Sequence, residues 1–272
     1  MRRQTAAHGT RGAADAGIAV RLSASVERPD IAGMSLLSEL GHQLVIAHRG
    51  ASSELAENTL PAFERALELG ADALELDVRL ARDGAAVVIH DAAVDRTTTR
   101  SGPVASFDST QLATLGVPAF REVLRAFPAA ELLIEIKEGA AQTAVERAIE
   151  EAGAEDRCVV APAAGVTLGT PTSRAARCGG RPDVAALRWR SALGLGPGAP
   201  AYRTLSVPRS YRGIPVATRA FFRAAAAVGV PVHVWTVDDP RVAAMLWRAG
   251  ASGIVTNDVA LMVRARRDAR LQ

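Results

Sequence analysis

The chain has 272 residues, 49% of them apolar, a formal net charge of +3 and two cysteines. That length suits one large domain or two small ones, with apolar content enough for a substantial core. The charge is scattered arginine without a dense basic run, which argues against nucleic acid as a partner. No stretch approaches the roughly 18–20 uninterrupted apolar residues of a membrane span, so stable membrane insertion is not expected.

Residues 1–33 are rich in Ala, Gly and Arg and carry no periodicity. Arg21 interrupts the one candidate apolar run, so a secretory signal is not expected. This segment reads as a disordered tail or an over-extended N-terminus, ahead of a single domain at 34–272. From Leu44 short apolar runs alternate with helical ones, the pattern of α/β architecture with parallel strands. Strands are expected at 44–48, 73–80, 85–90 and 132–137, then near 232–237 and 253–256. Between the first two, Asn58 or Thr59 can cap a helix, Pro61 suits its first turn and Gly70 ends it. Further helices are expected at 119–126, 140–152, 217–228, 240–249 and 258–267. Two regions are irregular. The link from Asp77 to His90 is too short for a crossover helix, and 162–182 holds two prolines before Pro182, four glycines and no helical stripe. Cys158 and Cys178 form no CxxC pair, which fits a reducing compartment and a cytoplasmic location.

The stretch 73–80, A-L-E-L-D-V-R-L, alternates strictly, so Glu75, Asp77 and Arg79 share one face about 7 Å apart. Polar, reactive side chains close several apolar runs: His48–Arg49, Glu75–Asp77, His90–Asp91 and Glu135–Lys137. Parallel α/β folds gather such ends on one rim, where active sites are built. The fold expected is therefore a TIM-type (β/α)8 barrel, irregular between its second and third strands and around 162–182, with an open doubly wound sheet as the alternative. Glu75, Asp77 and Glu135 are an all-oxygen set that repels itself unless one hard divalent cation, Mg²⁺ or Ca²⁺, neutralises it. His48 and His90 can remove and supply a proton near neutral pH. Arg49 adds charge to the same rim, as does Lys137, the only lysine among 32 basic residues. A cation, two histidines and two basic side chains suit cleavage of a phosphate diester.

The motifs H-R-G-A-S-S-E-L-A-E-N-T-L-P-A-F, G-A-D-A-L-E-L-D-V-R-L, V-V-I-H-D-A-A-V-D-R-T-T, I-E-I-K and V-H-V-W-T-V-D-D-P resemble the glycerophosphodiester phosphodiesterase family, over about 44–100, 118–158 and 205–258. The resemblance implies a TIM-type barrel that hydrolyses a small-molecule glycerophosphodiester to glycerol 3-phosphate and an alcohol. It implies His48 and His90 as the acid–base pair and Glu75, Asp77 and Glu135 as metal ligands. Arg49 and Lys137 fall on phosphate-contacting positions. Trp235 matches an aromatic near the mouth, with a core role as the alternative. Glu57 and Asn58 match an element that braces the rim, and Asp91, Arg96 and Thr97 match a mainly structural one. Attack by the glycerol 2-hydroxyl through a cyclic phosphate fits these groups, the order of the histidines being open. The segment 162–182 departs from the family pattern. Lysophospholipase D or sphingomyelinase D-like activity, or a non-catalytic phosphate-binding barrel, are the alternative readings. The sequence is silent on oligomeric state.

Overall fold

The structure, a computed structural model, describes residues 35–193 and 200–270; the reading of residues 1–33 lies outside them. Eleven strands occur among these residues: β1 Leu44–His48, β2 Ala73–Leu80, β3 Ala86–Val88, β4 Glu131–Ile136, β5 Cys158–Pro162, β6 Ala176–Gly179, β7 Thr204–Pro208, β8 Ser210–Tyr211, β9 Ile214–Pro215, β10 Val232–Trp235 and β11 Gly253–Thr256. The helices are α1 Leu60–Glu68, α2 Ser109–Thr114, α3 Phe120–Ala126, α4 Gln142–Glu151, α5 Arg181–Ala192, α6 Arg219–Ala226, α7 Pro240–Ala249 and α8 Val259–Arg270. Parallel pairing runs β1–β2–β4–β5–β6–β7–β10–β11 and returns to β1, which closes an eight-stranded barrel. Among the described residues no helix is long and apolar enough to cross a membrane.

Strand alternation sorts the side chains into two layers. Val45, Leu74, Leu76, Leu132, Ile134 and Ile254 point outward into a core shared with the helices. Leu44, Ile46, Ala73, Leu133, Val159 and Val255 point inward and form a separate cluster with Leu37. Leu37, fully buried, belongs to a short 3₁₀ turn, Leu36–Ser38, that plugs the N-terminal end of the barrel. Ser35 Oγ donates to Glu131 Oε2 at 2.7 Å, and the Leu37 carbonyl accepts from His233 Nε2 at 2.9 Å. Burial pushes His233 down to about 4, so it sits there neutral.

The helices begin and end as their sequences direct. Thr59 caps α1, Pro61 follows in its first turn, and Ala62, Phe63 and Ala66 face the core. Asp239 caps α7 ahead of Pro240, and Gly250 closes it in the left-handed region.

The region after β2 differs from the sequence reading. Residues 85–90 read as a further strand in the series, yet β3 pairs antiparallel with the end of β2, Val78 opposite Val88 and Leu80 opposite Ala86, outside the ring. β2 overshoots the rim and β3 folds back along it, the one solution so short a link permits. The Asp77 carbonyl then accepts from Ile89 N at 3.0 Å, which returns His90 to rim level.

The irregular segment after β5 contains no helix before β6, as its composition predicts. A buried carboxylate holds it instead. Glu146 on α4 accepts from Thr172 N (2.7 Å), Thr172 Oγ1 (2.6 Å), Gln142 Nε2 (2.9 Å) and an Arg177 guanidinium nitrogen (3.1 Å). Leu168 from this loop packs against the outer core. α5, which the sequence reading did not anticipate, buries only Leu187, so it offers no apolar stripe to read.

Candidate active site

Strand register assembles the acidic cluster. His48 is the neighbour of Glu75 across β1–β2, and Asp77 of Glu135 across β2–β4, all on the inward face at the C-terminal rim. Glu75, Asp77 and Glu135 each offer a carboxylate oxygen, all within 4.8 Å of one another, and this group can hold a metal ion. Glu75 is 4% exposed and Asp77 1%. Burial, then the charges of Asp77 and Glu135, push the Glu75 carboxyl well above the usual range. Three carboxylates gathered this closely, hard oxygen donors all, fit a hard cation.

Two basic side chains already compensate part of that charge. Lys137 Nζ lies 2.7 Å from Asp77 Oδ1 and 2.8 Å from Glu135 Oε1. Burial works against its charge, but those two carboxylates outweigh it and raise the Lys137 pKa. Arg49 Nε lies 3.1 Å from Asp77 Oδ2 as an ion pair only, since that N–H has no hydrogen-bond acceptor. Arg49 stands at φ 59°, and its backbone N donates to Glu75 Oε2 at 3.1 Å. Asn58, also at positive φ, does not cap α1. Its Nδ2 donates to Asp77 Oδ2 at 2.8 Å, and its Oδ1 accepts from Asp77 N at 3.3 Å.

The two histidines are held alike, through Nδ1. His48 Nδ1 lies 2.8 Å from Asn257 Oδ1, and Asn257 is anchored in turn to Asp238. Burial is the largest influence on His48 and lowers its pKa, against the Asn257 hydrogen bond. His90 Nδ1 lies 2.6 Å from Asp91 Oδ1. Asp91 Oδ2 accepts from Arg96 Nε at 2.6 Å, and Arg96 reaches on to both oxygens of Glu57, at 2.7 and 2.9 Å. Glu57 also accepts from Arg49 at 3.0 Å. The Arg96 hydrogen bonds are the main reason that Glu57 and Asp91 are each held at about 2. Arg79 Nε donates to the His90 carbonyl at 2.9 Å.

The rim therefore brings together His48, Arg49, Glu57, Asn58, Glu75, Asp77, Glu135 and Lys137, with His90 linked through Asp91, Arg96 and Glu57. Trp235 ends β10 on the same rim, 41% exposed, so it is not a core tryptophan. Sequence reasoning passed over Asn257, Asp238 and Ser52. The signal was present in T-V-D-D and V-T-N-D, which end two late strands as H-R and E-I-K end earlier ones. Cys158 and Cys178 are buried free thiols, each pushed up to about 12 by burial, and take no part in the rim.

Solved structures with this fold include one of a putative glycerophosphoryl diester phosphodiesterase from Silicibacter pomeroyi, 19% identical, with a TM-score of 0.66 over 85% of this chain and 96% of that one. Another is an Oleispira antarctica phosphodiesterase in complex with the product sn-glycerol-3-phosphate, 19% identical, with a TM-score of 0.65 over 86% of this chain and 100% of that one. In sequence, a probable glycerophosphodiester phosphodiesterase 2 from Mycobacterium tuberculosis is 33% identical over 239 residues, 82% of this chain and 90% of the relative. The sequence model of the glycerophosphoryl diester phosphodiesterase family matches residues 48–161 and 189–261, and the chain belongs to that family. The unmatched stretch between those blocks contains the helix-free loop held by Glu146 and most of α5.

Proposed function

We propose that this chain hydrolyses glycerophosphodiesters to glycerol 3-phosphate and an alcohol, with one divalent cation, Mg²⁺ or Ca²⁺, held by Glu75, Asp77 and Glu135. The observation that carries the reading is the pair of histidines, each fixed through Nδ1, set on the rim that also carries three carboxylates, Arg49 and Lys137. The family, and the product bound by the Oleispira relative, support the substrate class.

When bound, the cation supplies positive charge that draws electron density from the phosphoryl group. Arg49 and Lys137 attract the anionic diester and stabilise charge that develops on its oxygens. Trp235 offers an exposed aromatic surface at the mouth for the rest of the substrate. The unlike partners of the histidines divide their roles. His48, facing an amide oxygen, stays neutral and takes the proton of the glycerol 2-hydroxyl at Nε2. His90, held through Nδ1 by the Asp91 carboxylate, gives a proton to the departing alkoxide. The hydroxyl oxygen bonds to phosphorus as the bond to the alcohol breaks, leaving a cyclic phosphate. Water then opens the ring, His90 taking its proton and His48 returning one to the glycerol oxygen. The sum is one water consumed per diester cleaved.

The substrate is a small molecule met at the rim, and the proposed setting is the cytoplasm. The test is release of glycerol phosphate from glycerophosphocholine by the purified full chain. Release that stops with EDTA and returns with Mg²⁺ or Ca²⁺ is expected. Folded chain with no release under any of these conditions overturns the proposal.

A further inference from the structure

We propose that Asp238 is a positioning residue, acting through Asn257 to hold His48 with its ring proton on Nδ1 and the lone pair of Nε2 turned toward the carboxylate cluster. The inference deepens the proposed hydrolysis and rests on His48 being its base. Asp238 lies just beyond the end of β10 and Asn257 just beyond β11, so two adjacent barrel strands deliver them to one place.

Three donors converge on the Asp238 carboxylate. Oδ1 accepts from Thr256 Oγ1 and from Asn257 N, both at 2.8 Å, and Oδ2 accepts from Asn257 Nδ2 at 2.8 Å. An ionised carboxylate only accepts, so the Asn257 side chain must turn its NH₂ toward Asp238. Its carbonyl oxygen then faces the other way, 2.8 Å from His48 Nδ1 and 3.1 Å from Ser52 Oγ. An amide oxygen also only accepts, so Nδ1 carries the hydrogen. A neutral imidazole so disposed has its free lone pair on Nε2, the nitrogen 3.9 Å from Glu75 Oε2. A brace for the loop after β10 accounts for the bonds from Thr256 and the Asn257 main chain. It does not account for the third bond, to the Asn257 amide, which is the one that leads to His48. His90 has a carboxylate at the same point, and no amide there needs orienting.

The test is nitrogen NMR of the imidazoles in the full chain, with the His48 signals assigned by their loss in His48→Gln, beside steady-state kinetics on glycerophosphocholine. The unmodified protein should show His48 as the Nδ1–H tautomer. Asp238→Ala should shift it toward Nε2–H and lower kcat by about 10- to 100-fold, with KM changed by less than about threefold. Exchanging the pair, Asp238→Asn with Asn257→Asp, keeps an acceptor on Nδ1 and a donor between the two residues, and should restore the tautomer and most of kcat. An Nε2–H tautomer in the unmodified protein overturns the proposal whether or not any variant folds. So does an Asp238→Ala protein that keeps the Nδ1–H tautomer. If the chain releases no glycerol phosphate at all, the hydrolysis reading fails while the tautomer result stands on its own.

Discussion

Lys137 Nζ lies 2.7 Å from Asp77 Oδ1, and the same nitrogen reaches Glu135 Oε1 at 2.8 Å. A compact ammonium can stand between two carboxylates and leave room for the proposed metal ion, whereas a planar guanidinium occupies the space with its fork. That accounts for the only lysine in a chain that uses arginine everywhere else. Lys137→Arg should lose about 10²-fold or more in kcat, and Lys137→Met about 10³-fold, by the usual worth of a charge at a developing oxyanion. Glycerol phosphate release by both variants checks this. A Lys137→Arg enzyme within about twofold of the unmodified one shows that charge alone suffices.

Arg96 joins Asp91 to Glu57 and so links the two histidine arms. Both carboxylates are held down to about 2, with the Arg96 hydrogen bonds as the main cause. A depressed folded-state pKa contributes stability above the ordinary carboxylate range and loses it as pH falls through about 2. Arg96 is itself half exposed, so solvent screens much of the effect. Arg96→Met should flatten the acid limb of stability between about pH 4 and 2 and lower kcat by about 10-fold through a loosened His90. Thermal unfolding across that range and kinetics near neutrality measure the two effects separately.

Gly50 sets the turn that aims Arg49. It stands at φ +86°, and a Cβ there would fall 2.7 Å from the backbone carbon of Ala62. Neither the conformation nor the helix backbone can yield cheaply, so Gly50→Ala should cost about 1–3 kcal/mol or more in denaturant unfolding. An unchanged denaturation midpoint contradicts this reading of the turn.

The plug at the far end of the barrel is a separate matter of stability. Leu37 is fully buried in the interior cluster, so Leu37→Ala should cost about 2–5 kcal/mol. A chain starting at Gln43 lacks Ser35 and Leu37 and should unfold at a lower temperature than the full chain. Differential scanning calorimetry on the three proteins decides this.

Much of the site could be read in the sequence because barrel strands alternate with period two. Glu75 and Asp77 were bound to share a face, and strand ends were bound to meet on a rim. The register that sets His48 beside Glu75 could not be read, since it depends on how the ring closes. β3 reads in sequence as another strand in the series because an apolar run of that length carries no sign of its direction. α5 went unseen because one buried leucine makes no stripe. Asn257 and Asp238 act through an amide that does no chemistry itself, and residues of that kind announce themselves only when neighbours are in view.

The central claim is that Glu75, Asp77 and Glu135 hold one cation. Because burial and two like charges raise the Glu75 carboxyl, the cation must displace its proton, so binding should tighten as pH rises beyond the ordinary carboxylate range. Calorimetric titration of the EDTA-treated full chain with Mg²⁺ and with Ca²⁺ measures this directly. One ion per chain, lost in Asp77→Asn and kept in His90→Asn, is the predicted result. Equal binding by Asp77→Asn, or none by the folded unmodified chain, contradicts it.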